Sequence, residues 1–133
     1  MKSALWPLQQ ALFACLKADT ALTSKVKGVF DEVSANQAYP YVTLGEDTVV
    51  DWSTKTNDGE EITHTFHVWS KYAGKKEAKE ILSLVLEAVT RQPLVLSSGF
   101  SIDFSGLDFM EVFIDEDGTT KHGVLRIRFK ILQ

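Results

Sequence analysis

Three histidines, one cysteine and several paired carboxylates are the side chains here that could do chemistry. His64 and His67 lie three residues apart. On an extended strand that spacing points them to opposite faces, so the two imidazoles cannot hold one metal ion. His64 shares its parity with Ile62, Phe66 and Val68, which predicts an inward, hydrogen-bonded histidine. His67 shares its parity with Thr63, Thr65 and Trp69 and is expected to be exposed. Asp115, Asp117 and Gly118 have part of the spacing of a calcium loop. The glycine, however, comes three residues after Asp115 instead of five, and the later ligands are missing, so the segment reads as a solvated hairpin tip. Glu60 and Glu61 adjoin a loop with no apolar pocket to raise a carboxyl group into the general-acid range. No G-x-S-x-G or G-x-G-x-x-G occurs, and Gly74-Lys75-Lys76 lacks the upstream glycine and following Ser/Thr of a phosphate loop. The residues specify no catalytic centre, no cofactor site and no metal site.

A different chemistry is carried by Arg126, Arg128 and Lys130, three cations at period two and hence on one face of a strand. Such a row can protect an edge or a solvated face, or meet an acidic neighbour or a nucleic-acid backbone. Asp115, Glu116 and Asp117, with Glu46 and Asp47, are candidate complements on an adjacent copy. Opposite charges on distinct patches favour head-to-tail contact, which closes into a ring when the rotation closes. Trp69, Tyr39 and Tyr41 are candidate interface anchors, with core-edge packing as the alternative reading.

These residues need elements to place them. Leu5, Leu8, Leu12 and Cys15/Leu16 form one stripe of a helix over about residues 4–18, with Ser3 as cap and Cys15 as a small buried hydrophobe. Asp19 or Thr20 caps a short second turn. A strand follows at 29–33. A second runs over 41–52 with Val42, Leu44, Val50 and Trp52 on one parity and a bulge or bend at Gly45-Glu46-Asp47. The segment Ser53–Glu60, with Asn57-Asp58-Gly59 as its turn, reads as a mobile loop. A third strand spans 62–70. A helix spans 75–91, its buried stripe being Ala78, Ile81, Leu82, Val85 and Val89, and Pro93 ends it. Phe100–Ile114, interrupted at Ser105-Gly106, and His122–Leu132 form the last hairpin around Asp115–Gly118. In the final strand Leu125, Ile127, Phe129 and Ile131 face in, while Val124, Arg126, Arg128 and Lys130 face out. The order α-β-β-β-α-β-β predicts an α+β fold: an antiparallel β-sheet of four to five strands with two helices on one face, in a single domain over 1–133.

Composition narrows the classes further. The chain has 133 residues, 44% apolar and 24% charged, long enough for one real core. Fourteen Lys+Arg against eighteen Asp+Glu give a net charge of −4, which weighs against a domain bound to nucleic acid over a broad face. A single cysteine excludes an intramolecular disulfide framework. No apolar run approaches the roughly 18 residues of a membrane span, so no membrane partner is expected. Leu12-Phe13-Ala14-Cys15 looks loosely like a lipoprotein cleavage site, but Pro7, Gln9 and Gln10 interrupt the apolar block such a signal needs.

Val29-Phe30-Asp31-Glu32-Val33, the block Tyr39-Pro40-Tyr41-Val42-Thr43-Leu44-Gly45-Glu46-Asp47, Asp51-Trp52-Ser53-Thr54-Lys55, His67-Val68-Trp69-Ser70 and Gly74-Lys75-Lys76-Glu77-Ala78-Lys79 together resemble the tail-completion proteins of long-tailed bacteriophages and prophages. Asp117 to Arg126 is similar to that family's last hairpin. These motifs are structural and cover most of residues 29–132. The resemblance implies a non-enzymatic virion protein: a tail-terminator that stops polymerisation of the tail tube and joins tail to head. It implies a six-fold ring in the assembled tail, formed from a chain that is monomeric in isolation. The implied partners are copies of itself, the tail tube protein and the head-completion or connector protein. DNA would pass through the lumen without sequence-specific binding. The implied location is the head–tail interface of the virion, and the host cytoplasm during assembly. The Ser53–Glu60 loop, with Asn57 and Asp58 at its tip, is expected to order on assembly. The competing readings are a stand-alone small binding module and a neck protein that contacts DNA directly.

Overall fold

A computed structural model describes all 133 residues. Helix α1 (Leu5–Ala18) and the single turn α2 (Thr20–Thr23) precede strands β1 (Val29–Phe30), β2 (Tyr41–Asp51) and β3 (Gly59–Ser70). Helix α3 (Lys76–Thr90) and strands β4 (Ser101–Ile114) and β5 (Lys121–Leu132) complete the chain. The fold is α+β, with one sheet of order β1-β2-β3-β5-β4. All pairs are antiparallel except β1–β2, which is parallel, so the sheet is mixed and not wholly antiparallel. β3 and β4 both run antiparallel to β5 between them, and α3 carries the chain across that strand.

The helices bury periodic stripes against one sheet face. In α3 these are Ala78, Ile81, Leu82, Val85, Ala88 and Val89, as the 3.6-residue period predicts. In α1 they are Leu8, Leu12 and Leu16, while Leu5 points away, 39% exposed, and Ala4 takes its place in the core. Cys15 is only half-buried; its thiol donates to the Ala88 carbonyl at 3.3 Å, and burial pushes its pKa up. From the sheet, Val42, Leu44, Ile62, Phe66, Val68, Leu125, Ile127, Phe129 and Ile131 join the same cluster. Gly123 makes the helix–sheet approach possible: a Cβ there would lie 2.9 Å from Leu82 Cδ1.

Four local expectations give way to tertiary context. β1 is two residues long instead of five. The β2–β3 loop is shorter than expected: Gly59 and Glu60 belong to β3 and are buried. The connection is closed by Trp52 N–H to Gly59 O at 2.9 Å and Thr54 N–H to Asn57 O at 2.8 Å. Glu60 Oε1 accepts from the buried Ala4 N–H at 2.7 Å, so a distant carboxylate caps α1, beside Ser3 Oγ on Leu5 N–H at 3.2 Å. β4 is unbroken at Ser105-Gly106; its irregularities fall between Ile102 and Phe104 and between Leu107 and Phe109.

Candidate assembly surface

The helices cover one face of the sheet, which leaves the other face and two edges as the surfaces available to partners. The register shift between Leu44 and Asp47 organises much of what they carry. A bulge adds a residue to one strand and reverses the parity beyond it. Thus Val50 pairs with Glu61 on the uncovered face, and Val42, Leu44, Val50 and Trp52 do not share one side as their spacing suggested. The shift also decides which of two successive acids meets which histidine of β3, turning Asp47 to the covered face and Glu46 to the uncovered one. On the covered face His64, fully buried, donates from Nδ1 to Asp47 Oδ1 at 2.5 Å and packs edge-on to Phe66, with its Nε2 unpaired.

On the uncovered face His67 donates from Nε2 to Glu46 Oε1 at 2.8 Å. With that proton fixed, His67 Nδ1 accepts from His122 Nε2 at 2.7 Å. Trp69 stacks on His122 with 3.9 Å between ring centroids and donates from Nε1 to Thr43 Oγ1 at 3.1 Å. His67 is therefore half-buried, not exposed: Trp69, His122 and Glu46 enclose it. Burial, then the neighbouring His67, lowers the pKa of His122. Glu46 is held low by a bond from its own backbone N–H and by His67. Tyr41 is buried and raised to about 12, chiefly by burial and then by its bond with the Tyr39 hydroxyl. It belongs to core-edge packing, with Tyr39 and Trp69 half-buried around it. Thr65 and Val124, expected to face out, are also buried beneath this layer.

Further down the same face Arg126, Arg128 and Lys130 form the predicted row. Each cation is seated on a ring: Arg126 over Phe109 at 4.8 Å, Arg128 over Phe104 at 5.7 Å, and Lys130 over Trp52 at 5.4 Å and Phe104 at 5.5 Å. Only Arg128 has an acidic partner, Glu61 at 3.7 Å. Asp115, Glu116 and Asp117 stand apart from this row, at the β4–β5 turn. There Asp117 accepts from Thr120 Oγ1 at 2.5 Å, Thr120 N–H at 2.8 Å and Thr119 N–H at 2.9 Å, which hold its carboxyl well below the usual range. Gly118, with φ of 75°, supplies the left-handed turn residue. Asn57 and Asp58 are exposed at the β2–β3 connection.

Sequence reasoning missed the edges. β4 is an edge strand bearing Phe104, Leu107, Phe109, Met110 and Ile114, each 38–53% exposed. Its partners across β5 place Phe104 and Phe109 on the uncovered face and Leu107 and Met110 on the helix face, so both faces of the strand are apolar. At the other side β1 covers only Val42 and Thr43, leaving Asp47–Asp51 open, with Val49 and Val50 exposed. Apolar residues on both parities of 100–114 were the available signal. A cavity of about 540 Å³ between α1, α2 and the segment after α3 has five alanines among its thirteen lining residues, with the Arg91–Asp19 ion pair among its polar groups. No helix is long and apolar enough to cross a membrane.

Known proteins share this arrangement. The sequence profile of the family described as Tail completion protein gp17 matches residues 10–132. Tail completion protein gp17 of Bacillus phage SPP1 is 38% identical over 124 residues, covering 93% of this chain and 91% of that protein. The structure of bacteriophage SPP1 gp17 protein is 34% identical, with a TM-score of 0.66 over 97% of this chain and 95% of that one. A chain from the virion of a native gene transfer agent particle is 27% identical and superposes with a TM-score of 0.91 over the whole of both chains. With this fold, these edges and these relatives, the chain belongs to the phage tail completion protein family, structural components of the virion and not enzymes.

Proposed function

We propose that the chain caps the head-proximal end of a phage tail tube, stops its polymerisation and joins the tail to the head connector as a six-fold ring of identical copies through which DNA passes. The observation that carries the self-contact is the pair of open edges. β2, β3, β5 and β4 alternate in direction across the sheet, so β4 of one copy beside β2 of the next continues the alternation. That contact joins two different surfaces, the heterologous type that generates rings. It would also cover apolar side chains that otherwise face water on both sides of β4. The close superposition on a subunit of an assembled virion particle supports the same reading.

Asp103 and Asp108 occupy the two β4 irregularities, and Asp47 and Asp51 lie on the open part of β2. Charges and bulges at strand edges oppose indiscriminate pairing, which suits a monomer that assembles only on a tube end. The test is to mix the purified chain with uncapped tail tubes and image them by negative stain. Rings confined to one end, with growth arrested, are expected; bare ends and continued growth overturn the proposal. Leu107→Lys with Met110→Lys should abolish capping while leaving the fold intact.

A further inference from the structure

We infer that the Arg126–Arg128–Lys130 row is a low-affinity contact for the phosphodiester backbone of duplex DNA. This deepens the proposed passage of DNA through the ring, and rests on it for its setting. The row lies on β5, between β3 and β4, on the face that no helix covers. Two same-face steps of about 6.6 Å make it about 13 Å long, the axial length of about four phosphates on one strand. Its heads are positioned by the rings of Phe109, Phe104 and Trp52, which hold the cations in a line. Arg126 and Lys130 have no ion pair, and Arg128 Nε is buried without a hydrogen-bond acceptor, its carboxylate neighbour standing 3.7 Å away.

The row's register partners are Thr65, Thr63 and Glu61 on β3 and Phe109, Gly106 and Phe104 on β4, so the cations lie along a strip of small residues and the rings that seat them, with one acid at the Lys130 end. Protein interfaces concentrate their energy in central pockets for large anchors, whereas a backbone contact needs only a smooth, charged track. The same face carries Glu46, Glu61 and Glu111, three acids against three cations, and the whole chain is at −4. Attraction is therefore local and weak, as befits a wall that DNA must move past. No base-reading element projects from it, so one sequence should bind like another.

The test is an amide NMR titration of the full chain with two unrelated duplexes of about 20 base pairs at low salt. The expected result is shift changes along the Arg126–Lys130 stretch and around Thr63, equal for both sequences, with a dissociation constant of about 10⁻⁴ M or weaker. A row engaging three phosphates gives a salt slope of about −2.7, so a tenfold rise in salt costs two to three decades of affinity. Arg126→Gln with Lys130→Gln should remove the shifts at an unchanged melting temperature, while Arg126→Lys should keep them. Shifts elsewhere, or none at low salt, overturn the inference. So does a polyglutamate peptide that saturates the row where duplex does not, since that assigns it to an acidic protein neighbour. Tube capping by the same variants separates the two claims. Capping without a DNA contact defeats this inference alone, and failure of the wild-type chain to cap defeats the proposed function alone.

Discussion

Glu60→Ala tests how α1 is anchored. The Ala4 N–H is fully buried, and Glu60 Oε1 at 2.7 Å is its acceptor. Removing the carboxylate leaves that donor in a dry site, at a cost of about 1.5–3 kcal/mol for a bond to a charged group. It also removes an anion from the positive end of α1, worth about 0.3–1 kcal/mol. These overlap, so we expect about 2–3 kcal/mol, or a fall in melting temperature of roughly 7–12 °C for a chain this long. Glu60→Gln keeps an acceptor and loses the charge, and should cost about 1 kcal/mol or less. Urea unfolding followed by far-UV circular dichroism measures both. Because the bond ties the start of α1 to the root of the β2–β3 connection, hydrogen exchange should also quicken at residues 53–60 in the alanine variant. An alanine variant within about 0.5 kcal/mol of wild type, or a glutamine variant equally damaged, would refute the capping argument.

Gly123→Val forces a branched side chain against Leu82 and should cost about 1–3 kcal/mol in the same unfolding assay; a neutral effect would mean that α3 has room to lift. Tyr41 has its pKa raised, so its contribution is complete below the ordinary phenol value of 10 and is lost as pH rises through about 12. Alkaline unfolding should track tyrosinate absorbance in that window, and Tyr41→Phe should shift its onset upward. His122 and Glu46 are both lowered, so their contributions are present above 6.5 and 4.5 and are lost as pH falls through their depressed values. Histidine ring NMR should find His122 still neutral below 6.5, and an ordinary titration there would count against the His67–His122 bond. Asp103→Asn with Asp108→Asn should raise self-association at low salt in sedimentation velocity, and a double variant that sediments as wild type would remove the edge acids from the assembly argument.

The parts of the fold legible in the sequence are those fixed by local period. β5 alternates because each inward residue meets the helices, and α3 keeps its stripe because it lies across β3, β5 and β4. His64 was legible for the same reason. Glu60 was not: nothing near it in sequence signals that Ala4, 56 residues away, needs an acceptor. The strand at Val29-Phe30 was legible, but its parallel pairing with β2 was not, because two residues are too short a run to show which neighbour they join. β4 misleads in a different way. Its apolar residues on both parities read as a strand buried on both sides, yet strand order places it at an edge, where burial waits for a partner. Thr65 and Val124 do lie on the outward parity, yet both are buried, because large neighbours on an open face make a layer of their own.

Much of the candidate surface follows from one irregularity in β2. Had the strand continued in register through Gly45-Glu46, Asp47 would face the uncovered side opposite Thr63, and His64 would lose it to the longer Glu46, which would take its place on the covered side. His67 would likewise lose the carboxylate that fixes its Nε2 proton and, through it, the bond to His122. The shift lies just beyond the two residues that β1 covers, so the strand changes parity after its edge has opened. Gly45 accommodates this: a Cβ there would sit 2.6 Å from the His67 ring and 2.9 Å from the Thr65 carbonyl. Pairing two acids with two histidines at one bulge therefore specifies a core contact, a surface cluster and an exposed segment of strand together. A substitution that repairs the alternation would disturb all three at once.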